Sequence, residues 1–248
     1  VTSDKSCANS AQQHVTIFAL PEAGFQIGNE ANTTSFCAND DPVALAPNLE
    51  GGIFQVLDDE ANVLEDIIDN NQFNPSAIKL AEDEKQKVIT LVHTITSEHG
   101  CTNTTQQQVT IFALPDASFQ VGNEANKTSF CINDAPVFLA PNLEGGTFQA
   151  LDETGNFLED IIDNNQFNPS AVKLGEDEKQ KVITLVYTIT SDHGCTNSTQ
   201  QQVTIFALPD AGFLVGNQAN KTNFCTNDAP VFLTSLLMYL MTNLIHRN

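Results

Sequence analysis

Gly194-Cys195-Thr196-Asn197-Ser198-Thr199-Gln200-Gln201-Gln202-Val203-Thr204-Ile205-Phe206-Ala207-Leu208-Pro209-Asp210-Ala211 occurs three times in this chain. A second copy runs from Gly100-Cys101 to Ala117, and a more divergent one from Ser6-Cys7 to Ala23. Cysteines give the period, since 101 − 7 = 94 and 195 − 101 = 94. A second series agrees, with 131 − 37 = 94 and 225 − 131 = 94. Self-similarity at a fixed interval makes the repeat, not the whole chain, the folding unit. At 94 residues the unit has an ordinary domain size and a modest core, one that gains from a covalent staple.

Working outward, residues 1–20 read as the end of a preceding repeat. Val15-Thr16-Ile17-Phe18-Ala19-Leu20 is a β-rich closing strand stopped by Pro21. Repeats at 21–114 and 115–208 follow, then the start of a truncated third at 209–233. The divergent apolar tail, 234–248, is too short to span a bilayer, and its abrupt change of composition suggests sequence foreign to the repeat. Within a repeat, short strands are expected over 23–28, 42–47 and 51–57. Val63, Leu64, Ile67 and Ile68 lie at helical spacing, so a helical turn or two is expected there. The clearest strand is Lys87–Thr96, with Ile89, Leu91, His93 and Ile95 on one face. Tyr187 stands where the earlier repeat has His93, so this position packs rather than performs histidine chemistry.

Short strands, glycine turns and no long amphipathic helix predict an all-β chain of tandem immunoglobulin-like β-sandwiches. The motifs also resemble a family. A cysteine precedes a Pro-Val-x-Leu strand (Cys131, Pro136 to Leu139), followed by Gly145-Gly146-Thr147-Phe148 and Phe167-Asn168-Pro169. Ile183 to Thr190, Gly194-Cys195-Thr196 and a Val-Thr-Ile strand running into Leu208-Pro209 complete the order. This is similar to the tandem immunoglobulin-like, PKD-like repeats of large secreted surface proteins of Bacteroidetes. The resemblance implies a stalk, adhesin or filament component at the cell surface.

Net charge is −21, from 31 acidic and 10 basic residues. That disfavours nucleic acid and anionic membranes as partners. Six cysteines in two regular series point to an oxidising compartment. Two pairings suit the spacing. Cys37–Cys101 with Cys131–Cys195 staples each repeat over 64 positions and leaves Cys7 and Cys225 for neighbouring repeats or chains. The rival set, Cys7–Cys37, Cys101–Cys131 and Cys195–Cys225, spans 30 positions. Loop entropy separates them by only about 0.7 kcal/mol. The within-repeat staple is preferred because a small sandwich gains most by closing its own core.

Asp58, Asp59 and Glu60, with Asp152 and Glu153 one period later, form acidic patches whose hard oxygens suit calcium. Solvated turns are the plainer reading, and no other cofactor is indicated. His99 and His193 recur in Ser-x-His-Gly-Cys without a nucleophile–base pair, so no enzyme is expected. Five N-x-S/T sequons lie at Asn32, Asn103, Asn126, Asn197 and Asn220. The leading expectation is an extracellular structural repeat protein, a stalk or fibre whose partners are copies of itself or adjacent repeats. In its sharper form, subunits join head to tail. Val15, Ile17 and Phe18 of one then complete the open repeat carrying Val231, Phe232 and Leu233 of another. The alternative is an adhesin segment gripping a glycan or protein through its loops, with calcium as an aid.

Overall fold

A computed structural model of the 248-residue chain describes residues 9–28, 33–122, 127–209, 211–215 and 223–235. The strands of the first repeat are β1 (Phe25–Ile27), β2 (Ser35–Cys37), β3 (Val43–Pro47), β4 (Ile53–Leu57), β5 (Val63–Leu64), β6 (Ile68–Asp69), β7 (Gln72–Phe73), β8 (Gln86–Thr96) and β9 (Thr102–Phe112). They form two sheets, β1-β3-β7-β6 and β2-β9-β8-β4-β5. In immunoglobulin lettering these are A-B-E-D and A′-G-F-C-C′, the order expected for that sandwich.

The second repeat supplies β10 (Phe119–Val121), β11 (Ser129–Cys131), β12 (Val137–Pro141), β13 (Thr147–Leu151), β14 (Ile162–Asp163), β15 (Gln166–Phe167), β16 (Gln180–Thr190) and β17 (Thr196–Phe206). Its sheets are β10-β12-β15-β14 and β11-β17-β16-β13, with C′ reduced to the bridge Leu151–Phe157. In the third, β18 (Phe213–Val215) pairs with β19 (Leu233–Ser235). The repeat pattern thus continues through Thr234 and Ser235. The tail from 236 onward lies outside the described residues.

The core sits between the sheets. Alternation along β8 buries Ile89, Leu91, His93 and Ile95, as its period of two requires. Facing them are Phe25, Ile27 and Phe73 from the opposite sheet, with Phe36 meeting Phe73 edge-on at 5.7 Å. Each such side chain contributes about 1.5–3 kcal/mol by leaving water.

Three expectations give way to the structure. No helix forms over 58–71. Ala61, Asp66, Asn70 and Asn71 all adopt positive φ, which breaks a right-handed turn despite the spacing of the apolar residues. Asn70-Asn71 instead makes the two-residue hairpin between β6 and β7, for which asparagine tolerates the left-handed region. The closing strand is longer than expected and starts at Thr102. Its polar half is usable because Asn103 donates to Pro21 O at 2.8 Å and Gln107 to Phe25 O at 2.6 Å. Conversely, residues 9–24 form no strand. Their counterparts in β9 are held by a hairpin with β8.

His93 and Tyr187 show one packing position solved twice. Tyr187 is buried, donates to Leu143 O at 2.6 Å and accepts from Gly146 N at 2.9 Å. His93 is equally buried, with Nδ1 2.9 Å from Ala23 O and Nε2 3.0 Å from Gly51 O. Either ring lies against the adjacent phenylalanine, Phe54 or Phe148. The ring leaves no room for a side chain beside it. A Cβ on Gly146 would stand 2.4 Å from Thr188 O and 2.6 Å from Tyr187 Cζ, and one on Gly52 would stand 2.5 Å from His93 Nε2. Gly146→Ala should therefore cost about 1–3 kcal/mol, read as a lower urea midpoint at unchanged slope.

Candidate functional site

The chain divides into two compact units. The first comprises residues 1–116 together with 189–197, and the second comprises 117–188 with 198–248. The tip of the β16–β17 hairpin therefore belongs to the first unit, and the chain's one described disulfide lies there.

Each half of that bond is built locally. Cys37 ends β2 and opens a tight turn. Its N–H donates to Asp40 Oδ2 at 2.8 Å, while Asp40 N donates back to Cys37 O at 3.0 Å. Cys195 closes the hairpin tip. Ser191 N donates to Cys195 O and Gly194 N to Ser191 O, both at 2.9 Å, and Cys195 N donates to Ser191 Oγ at 3.2 Å. Gly194 supplies the positive φ of 84° that the turn needs. Cys37 and Cys195 are joined with Cα atoms 5.5 Å apart. Around the bond, His193 stacks on Phe112 with centroids 3.9 Å apart. Asn39 Nδ2 donates to Thr196 O at 3.3 Å and Asn197 Nδ2 to Pro115 O at 2.9 Å.

This corrects the expected pairing. Cys37–Cys101 and Cys131–Cys195 do not form, and Cys101, Cys131 and Cys225 are free thiols. Neither does the rival set, as far as it falls on described residues; Cys7 lies outside them. Strand register gives the reason. In the parallel pairing of β2 with β9, Cys37 stands opposite Phe112, at the far end of the strand that Cys101 precedes. Eleven residues at about 3.3 Å each separate the two by roughly 35 Å, whereas a disulfide needs Cα atoms within about 7 Å. The same holds for Cys131, opposite Phe206, and Cys195. The sequence separation of 158 is the expected 64 plus one period of 94. The same two types of cysteine pair, but across successive repeats.

The remaining sequence candidates are placed as follows. Asp58 spends both oxygens on its own turn, accepting from Asn62 N at 2.7 Å, Glu60 N at 3.0 Å and Asn62 Nδ2 at 3.0 Å. Asp152 does likewise with Thr154 Oγ1 at 2.7 Å, Thr154 N and Asn156 N at 2.9 Å, and Asn156 Nδ2 at 3.0 Å. Glu153 accepts from Val182 N at 3.3 Å, and Asp59 and Glu60 are exposed. Among the described residues no three His, Cys, Asp or Glu side chains gather in a way that could hold a metal. His99 and His193 are stacking partners of Phe18 and Phe112. The amides of Asn103 and Asn197, two of the sequons, are engaged with the carbonyls of Pro21 and Pro115. Val15, Ile17 and Phe18 are exposed, as are Val231, Phe232 and Leu233. No helix among the described residues is long and apolar enough to cross a membrane.

No protein-family model matches the chain, and no curated protein does. Solved structures similar to it include a calcium-stabilised adhesin with which an Antarctic bacterium binds ice, at 13% identity and TM-score 0.32 over 79% of this chain. The chain spans 52% of that adhesin's structure. The first two extracellular repeats of human mucin-like protocadherin match at 12% identity and TM-score 0.27, covering 76% of this chain and 100% of that one. Repeats 21–23 of human CDH23 match at 12% identity and TM-score 0.26, covering 81% of each. Likenesses at this level assign no function.

Two outcomes follow from the site. Cys37→Ser, Cys195→Ser and the double variant should lose the same stability, about 2–4 kcal/mol, because they break one bond. Cys101→Ser should stay within about 0.5 kcal/mol in the same denaturant titration. For the acidic turns, hydrogen bonds from Asn62 to Asp58, and from Thr154 and Asn156 to Asp152, hold both carboxyls below their ordinary pKa. A depressed folded-state pKa stabilises above the unfolded value and is lost as pH falls through the folded one. Asp152→Asn should therefore lower the melting temperature at neutral pH and shrink its fall on acidification below about pH 4.

Proposed function

We propose that the chain is an extracellular structural repeat protein, forming a cell-surface stalk or fibre whose copies join head to tail. In that join, residues 1–20 of one copy complete the open repeat at 209–248 of another. The observation that carries this reading is the Cys37–Cys195 bond, which ties one repeat to the next rather than closing either. A bond of that kind makes an array resist separation. Disulfides persist outside the reducing cytosol, and the charge of −21 keeps such an array soluble. The likeness of the motifs to repeats of Bacteroidetes surface proteins supports the same role.

Antibody labelling of the cells that make the protein tests this reading. Intact cells should label, and added protease should remove the signal. Labelling only after permeabilisation would overturn it.

A further inference from the structure

We infer that the second repeat carries a binding site for a small amphiphilic anion, an alkyl or aryl group bearing one carboxylate or sulfonate. The site lies beside Phe157, between the segment that follows β13 and the start of β16. It does not depend on how copies join, so either idea can fail alone.

The site is a cavity of about 320 Å³, within the size range of small-molecule pockets. Leu158, Ile161, Ala171 and Val172 give it apolar walls, and Phe157 completes them. Ile161 and Val172 are 4% and 5% exposed, so those walls are part of the close-packed core. Lys173 and Lys181 are the cations of the lining. Lys181 Nζ donates to Lys173 O at 3.2 Å, which ties the start of β16 to the segment after the Pro169–Ala171 turn and fixes this ammonium at the wall. An ammonium has more than one N–H to donate, so that bond does not exhaust it. Among the described residues, no carboxylate oxygen lies within 4.0 Å of either lysine ammonium. Glu159, the acidic residue of the lining, is exposed, and Glu153 accepts from Val182 N at 3.3 Å.

Sequence differences between the repeats open this region. In the first, Val63 and Leu64 pair with Leu57 and Val56 as β5. In the second, Phe157 stands in place of Val63 and the smaller Ala150 in place of Val56, and the strand shrinks to the bridge Leu151–Phe157. The adjoining groove along β13 measures about 360 Å³, against about 220 Å³ for its counterpart along β4. Residues 157–159 therefore run between two hollows and form a wall of each. Phe157 is left 65% exposed. An apolar group lying against it removes that surface from water, while the lysines take the charged end. The chain's net charge of −21 opposes an anion only at long range. Physiological salt screens that repulsion over about 8 Å, whereas the ammonium groups act at hydrogen-bond distance, where charge-assisted bonds are strongest.

Titration of the full chain with 1-anilinonaphthalene-8-sulfonate and, separately, with decanoate tests the proposal, read by probe fluorescence and by amide chemical shifts. Saturable binding of a single equivalent is expected, with shifts centred on Leu158, Val172 and Lys181. Displacement of the sulfonate by decanoate would support one site for both chemistries, and binding of one alone would assign it to aryl or to alkyl chains. Phe157→Ser and Lys181→Gln should each weaken binding roughly tenfold. Lys181→Arg should keep it, and Val63→Ser, the matching change in the first repeat, should leave it unchanged. Melting curves of the variants separate lost binding from lost folding, and Lys173→Gln, at an exposed side chain, gives the same readout should Lys181→Gln unfold. Unsaturable binding, shifts spread over both repeats, decyltrimethylammonium bound as tightly as decanoate, or affinity unmoved by Phe157→Ser and the lysine variants would overturn the site.

Discussion

The eleven-residue hairpin of β8 and β9 is the constraint on which the rest depends. Its length keeps the tip cysteine and the β2 cysteine at opposite ends of one strand. Loop entropy separates the within-repeat bond from the longer one only slightly. Register forbids it outright, because no adjustment of side chains closes a gap of roughly 35 Å. The cysteine at the end of β2 must then look beyond its own repeat. The tip of the next hairpin, held by Ser191 and Gly194, supplies the partner.

The strands were legible where burial and β-propensity agree, as along Gln86–Thr96, where alternating apolar residues face the core. They were illegible where polar side chains do the anchoring. Thr102 to Gln108 looks like a loop by composition, yet Asn103 and Gln107 reach backbone carbonyls of the neighbouring segment and make the pleat viable. Such bonds depend on a tertiary neighbour that a sequence pattern does not display. The helix expected at 58–71 failed for a local reason, since four residues there take positive φ, and two asparagines in succession were the available hint.

The disulfide was half legible. Two cysteine series at one period identified which residues pair by type, but span alone could not say in which repeat the partner lies. That answer needs the parallel pairing of β2 on β9, a contact between segments 75 residues apart (35 to 110) with no signature of its own. The acidic turns show the converse. Asp58 and Asp152 drew notice as possible metal ligands, and their oxygens are taken by the Asn and Thr residues two to four places on. An aspartate followed by such residues is as much a turn signal as a ligand signal.

A bond that skips from one repeat to the next changes what stability means for an array. In tandem proteins, stability is the sum of intrinsic repeat terms and coupling between neighbours. A staple closed within one repeat would raise the intrinsic term and leave each repeat free to unfold alone. Cys37–Cys195 raises the coupling instead. The identical Val-Thr-Ile-Phe segments serve that design, because each tip meets the same seat wherever it falls along the chain. The His93-to-Tyr187 exchange marks what is left free to vary. A buried ring can be replaced when its polar end still finds backbone partners, provided the glycine beside it keeps the space open.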